Sequence, residues 1–223
     1  MKRLLLVAGL IVLLTTPLLA KLPKNMASVQ PLFDTQGNNV CSTSSYNEQA
    51  GLWVTAAHCT ETGDVMVMGK PAKVLYADDQ DDTDLAMLQA DAHVPALKVG
   101  KAPQLGDEVN VVGFPMGQNQ LLVTWLRVAS VNPVQWNAAL ERNFRSMALD
   151  GAALPGHSGA AVLDRDGKIV AVLHGFIAIP GGFGSVPSAI SLASNYETFV
   201  TFLKRVSVRT VPTVEVTVVA RGK

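Results

Sequence analysis

This 223-residue chain lacks an excess of either charge: 18 Lys and Arg stand against 18 Asp and Glu, so the formal net charge is zero. No basic stripe breaks that balance, which argues against a nucleic-acid partner. Cysteine is scarce, with only Cys41 and Cys59. No cysteine stands directly after the apolar N-terminal run, so a lipoprotein is not expected. Aromatic residues make up 6% of the chain, and there are no repeats or low-complexity tracts. The length allows one sizeable core or two small ones, not several domains.

What is present begins with a targeting pattern. Lys2 and Arg3 precede an apolar stretch over residues 4–19 that ends at the small residue Ala20. This reads as a signal peptide over residues 1–20, with an uncleaved signal anchor as the alternative. The body is therefore expected to be exported, periplasmic or secreted, and to meet a membrane only if that segment is retained. Two cysteines in an exported protein are expected to pair, which predicts a Cys41–Cys59 disulfide.

Residues 21–38 read as an N-terminal arm. From 39 onward, short apolar runs are punctuated by turns, since the chain has 18 Gly and 12 Pro. Strands are expected over 65–68, 72–76, 109–112, 121–128 and 169–173. Such runs suggest an antiparallel sandwich or barrel, and the length suits a two-barrel fold. A helix is expected over 195–205, with Tyr196, Phe199, Val200 and Leu203 on one face and Ser194 or Asn195 as its cap. The tail, 206–223, alternates Val with polar residues.

Three local patterns carry chemistry. His58 follows a short apolar run within GLWVTAAHC, residues 51–59, directly before Cys59. A disulfide there would steady the loop that bears the imidazole. Residues 78–84 hold five Asp in seven positions. Most read as a solvated loop, and the Gly and Glu of an EF-hand are absent at the required spacing. Asp84 differs because it opens an apolar strand, where a carboxylate can accept the imidazole N–H. Third, Ser158 stands in Leu154-Pro155-Gly156-His157-Ser158-Gly159. Gly156 permits a turn that points successive N–H groups at one spot. A base, an acid and a serine on such a turn suit nucleophilic acyl transfer.

Together these motifs resemble the trypsin-fold serine proteases, and specifically the protease domain of the HtrA (high-temperature-requirement) group. Residues 83–88, TDLAML, are similar to that group's acid motif. Residues 94–117, VPALKVGKAPQLGDEVNVVGFPMG, and 149–164, LDGAALPGHSGAAVLD, resemble its two other signature segments. The likeness covers residues 39–205. It implies two six-stranded antiparallel β-barrels with a C-terminal helix, and a serine endopeptidase acting on polypeptides without metal or organic cofactor. His58, Asp84 and Ser158 would form the triad, and the N–H groups of Gly156 and Ser158 the oxyanion hole. Ala152, Leu173 and Gly175 would line the substrate pocket, with His174 either contacting substrate or packed at the strand end, and the apolar floor would suit small or medium aliphatic residues.

The sequence also departs from the group. WVTAAHC and the Cys pair are closer to animal trypsin-like chains, and His157 replaces the usual Asn or Asp. About 18 residues follow the helix, too few for a PDZ domain, so PDZ-linked regulation is not expected. Two other readings compete. An α/β-hydrolase esterase needs a strand before the serine, and the acid and His after it. A protease-fold binding protein without activity would ordinarily lack a triad member or an oxyanion glycine.

Overall fold

The computed structural model describes residues 26–61, 63–78, 83–134, 146–181 and 184–210. The targeting segment, the start of the arm, Asp79, Asp81, Asp82 and the tail beyond Thr210 lie outside the described residues.

Twelve strands form two closed barrels. The first contains β1 (Val29–Asp34), β2 (Asn39–Asn47), β3 (Leu52–Thr55), β4 (Val65–Val67), β5 (Lys70–Asp78) and β6 (Leu85–Ala90). Its strand order is β1-β2-β3-β6-β5-β4, closed by pairing of β1 with β4. The second contains β7 (Glu108–Gly113), β8 (Leu122–Val134), β9 (Ser146–Asp150), β10 (Ala161–Leu163), β11 (Ile169–Gly181) and β12 (Gly184–Ser194). Its order is β7-β8-β9-β12-β11-β10, the same topology, closed by β10 against β7. All the strand pairs within the two barrels are antiparallel.

Several strands are buried on both faces, which explains their nearly continuous apolar sequence. In β3, Trp53 points into the first barrel while Leu52 and Val54 face a second core. In β10, Val162 points into the second barrel while Ala161 and Leu163 face that same second core. Successive residues of a strand point to opposite sides, so one apolar run feeds two cores at once. The shared core lies between the barrels and takes in Leu85, Met87, Val112, Phe114 and Val172.

Helix α1 (Tyr196–Thr210) closes this shared core with Phe199, Phe202, Leu203 and Val206. Asn195 caps it, its side-chain oxygen accepting the Glu197 N–H at 3.0 Å. The helix is longer than its sequence pattern suggested. Phe202 and Val206 join the buried face, while Val200 is only half-buried.

The arm also differs from expectation, because Val29–Asp34 is the first strand of the first barrel. Its alternation is weak: Val29 and Leu32 are buried while their neighbours are half-buried. Pro31 lies just outside the stretch of β1 that pairs with β4, so its missing N–H does not interrupt that ladder.

Candidate active site

His58 sits on a short 3-10 turn, Ala57–Thr60, directly after β3. The small buried residues Ala56 and Ala57 let this turn press against the barrel. Cys59 is joined to Cys41 at the start of β2 by a disulfide, which staples the turn to a neighbouring strand.

Asp84 faces His58 across the rim of the same barrel. One carboxylate oxygen, Oδ1, accepts the His58 backbone N–H at 2.9 Å. The other, Oδ2, lies 2.7 Å from His58 Nδ1. A buried carboxylate in this position makes Nδ1 the protonated nitrogen and leaves the lone pair on Nε2. Asp84 holds this pose with a left-handed backbone, φ 45°, a conformation that Asp tolerates better than most residues. The preceding Thr83 is buried and bonds the Asp78 carbonyl at 2.9 Å.

The electrostatics follow from this pairing. Burial pulls the His58 imidazole down, but the hydrogen bond and charge of Asp84, with help from Glu61, outweigh it and hold His58 above the ordinary histidine value. Burial pushes Asp84 up, but the bond to His58 and the nearby charges of His58 and His174 outweigh it and hold the carboxyl below its ordinary range.

Ser158 comes from the other barrel, on the loop between β9 and β10. Gly156 (φ 86°) and Gly159 (φ 79°) bend that loop through left-handed turns. A side chain at Gly159 would collide with the Ser42 carbonyl oxygen and the Thr55 hydroxyl. The loop therefore lies directly on the first barrel. Ser42 N–H donates to the Ser158 carbonyl at 2.8 Å, and Gly159 N–H to the Leu173 carbonyl at 2.7 Å. The Ser42 hydroxyl lies 3.3 Å from the Gly156 carbonyl. Met116 N–H donates to the Pro155 carbonyl at 2.6 Å, so the trans Pro155–Gly156 peptide turns its own N–H the other way. Among the described residues, no acceptor takes the Gly156 or Ser158 N–H, and no hydrogen bond joins the Ser158 hydroxyl to His58.

The residues expected to line the pocket fall in different places. Ala152 is exposed on the turn after β9. Gly175 has open space where a side chain would stand. His174 is half-buried at a bulge of β11 against β12, and its Nε2 lies 2.8 Å from the Ser146 hydroxyl. Leu173 is a correction. Its side chain is buried inside the second barrel, because alternation along β11 turns it inward, and its backbone bonds Gly159 and Ala160 of the serine loop.

The atoms of Cys41, His58 and Cys59 lie within 4.8 Å of one another, but the disulfide consumes both sulfurs, so this is not a thiolate metal site. Ser42, Met116 and Ser146 were not singled out from the sequence. Ser42 follows Cys41 in a polar strand, and nothing local in the other two marks a neighbour from a distant segment.

Comparison with known proteins supports the fold. The sequence model described as "trypsin-like peptidase domain" matches residues 41–172. A Plasmodium falciparum serine protease DegP homolog is 35% identical over 106 residues, covering 45% of this chain and 12% of that protein. The chloroplastic protease Do-like 2 of Arabidopsis thaliana is 30% identical over 135 residues, 55% of this chain and 22% of the relative. The chain thus spans less than a quarter of either relative. Among solved structures, the HtrA-type protease AlgW with a tripeptide superposes with a TM-score of 0.65 at 21% identity, over 80% of this chain and 60% of that one. The inactive form of the Rv3671c protease superposes with a TM-score of 0.64 at 17% identity, over 81% and 89%. The family match spans most of the first barrel, the inter-barrel connection and the serine loop, and the chain belongs to the trypsin-like peptidase domain family.

Proposed function

We propose that this chain is a serine endopeptidase. Ser158 attacks the scissile carbonyl. His58 takes its proton through Nε2 and later returns it to the leaving amine, and Asp84 holds the imidazole in the required tautomer. The Gly156 and Ser158 N–H groups stabilise the oxyanion of the tetrahedral intermediates on either side of an acyl-enzyme. The observation that carries this reading is the two-point grip of Asp84 on His58, with both carboxylate oxygens used and Nδ1 engaged. In a free enzyme the serine–histidine hydrogen bond is often long and tightens when substrate arrives.

The substrates are polypeptides met outside the cytoplasm. Ala152, exposed on the turn after β9, and Gly175, beside open space, would bound a pocket that has no buried carboxylate among the described residues for a Lys or Arg side chain, and desolvating that charge unpaired is costly. Cleavage after Val, Ala or Leu follows. An active-site-directed serine reagent tests the activity: it labels Ser158 in the wild type and not in His58→Ala. Absence of labelling in the folded wild type would overturn the reading. The pocket is tested by kcat/KM on matched peptides with Val, Arg or Glu before the scissile bond. A tenfold preference for Arg or Glu, about 1.4 kcal/mol, would refute the apolar floor.

A further inference from the structure

Between the two oxyanion donors lies a residue to which the chemistry above gives no task. His157 is 1% exposed. Its backbone N–H donates to the Leu154 carbonyl at 3.0 Å, and its ring Nδ1 accepts the Leu154 N–H at 3.2 Å. These two bonds clasp residues 154 and 157 around the Pro155–Gly156 peptide. A backbone N–H can only donate, so Nδ1 is the acceptor and the neutral ring carries its proton on Nε2.

That Nε2 is buried and has no hydrogen-bond partner among the described residues. Burying an unpaired N–H costs free energy that an apolar side chain of similar size would avoid. Filling space therefore does not account for an imidazole here. What distinguishes it from leucine is the lone pair on Nδ1. Room for the ring comes from Gly113, where a side chain would stand 2.6 Å from Ala160 Cβ and 3.4 Å from the imidazole Cδ2. Burial alone pushes His157 down to about 4, so the neutral form persists well below neutral pH.

We propose that neutral His157 is the positioning residue of the oxyanion turn, its Nδ1 lone pair holding the Leu154 N–H and thereby the orientation of the Gly156 donor. Outside the turn, Met116 N–H and the Ser42 hydroxyl fix the carbonyls on either side of Gly156. His157 fixes the same segment from within. The proposal rests on the endopeptidase reading for its kinetic consequence but not for its geometry.

The test compares His157→Asn, whose side-chain carbonyl can accept the same N–H, with His157→Leu, which fills the space without an acceptor. In the full chain, His157→Leu lowers kcat about 100-fold, the scale of losing one oxyanion donor, with KM little changed. His157→Asn recovers most of that loss. A kcat for His157→Leu close to wild type, or equal impairment of both variants, would overturn the proposal. A second measurement needs neither activity nor a variant at this position: ¹⁵N spectra of the histidine side chains in Ser158→Ala. The expected signature for His157 is an unprotonated Nδ1 and a protonated Nε2, unchanged from pH 8 to pH 5. The opposite tautomer sinks the proposal, whereas failure of the wild type to react with a serine reagent would sink only the endopeptidase reading.

Discussion

In the first barrel, the turn that bears His58 is tied down by a covalent bond. In the second, the loop that bears Ser158 is tied down by hydrogen bonds and glycine turns. The strand order is the same in both. Their interiors differ in kind. The first barrel buries a polar strand, with Ser42, Thr43, Ser44 and Ser45 all inaccessible, and adds a disulfide. The second is packed with Val, Leu, Ala and Met, and carries two imidazoles, His157 and His174, that are both neutral near pH 7. Reductant therefore acts on the first barrel, whereas the buried neutral imidazoles that acid must charge belong to the second.

The largest expected effect breaks the comparison down to chemistry. Ser158→Ala in one barrel and His58→Ala in the other each lower kcat by roughly 10⁶, and the double variant is hardly worse, because the residues act as a unit. Additive losses, measured by single-turnover hydrolysis, would show that the barrels contribute independently. Next in size, Asp84→Asn costs on the order of 10⁴ in kcat through the wrong His58 tautomer. The same substitution at Asp78, whose carboxylate meets Arg205 of α1 at 3.4 Å instead, is far milder. A reversal of that ranking in steady-state assays would displace Asp84 from its role.

Acid sensitivity comes third. His157 and His174 both stand at about 4 in the folded protein, against an ordinary value of 6.5. Between those values the unfolded chain binds more protons, so stability is lost as pH falls from 6.5 toward 4. The loss between pH 7 and pH 5 is about 2 kcal/mol for each imidazole. Urea melts of wild type against His157→Asn separate the two contributions; identical pH slopes would show that His157 is not neutral in the fold. His58 behaves oppositely. Its raised value means that its contribution to stability is present at low pH and lost as pH rises through it, while activity, which needs neutral His58, rises over the same range.

The effect smallest in its reach through the fold probes the staple. Replacing both Cys41 and Cys59 by Ser removes a cross-link that closes a short loop, worth roughly 3 kcal/mol in the chain-entropy account. Hydrogen exchange then accelerates in β2 and β3 and is little changed in β9 and β11. Equal acceleration in both barrels would mean that they unfold as one unit.

Much of the second barrel and the helix was legible because apolar runs between turn residues repeat at strand spacing, as over 109–112 and 169–173. The first strands were not. β2 lacks the apolar run that marks a strand because its buried residues are hydroxylic, yet each of three hydroxyls is matched to a carbonyl. Thr43 bonds Val54 at 3.0 Å, Ser45 bonds Val94 at 3.1 Å, and Ser42 reaches Gly156. Those carbonyls lie 11, 49 and 114 residues away in sequence. Spacing alone cannot report partners that only the closed fold supplies. His58, Asp84 and Ser158 stood out because each sits in a local pattern. The inward turn of Leu173 and the clasp made by His157 depend on which face of a strand or turn meets its neighbours.

The path between the nucleophile loop and the base loop is short. From the Ser158 carbonyl one hydrogen bond reaches Ser42, the next residue is Cys41, and its sulfur leads to Cys59 beside His58. Both reactive loops are thus indexed to a single dipeptide, as two tools are mounted on one jig. Any rotation of one barrel against the other works directly on the Ser42–Ser158 hydrogen bond, which is where the two mountings meet.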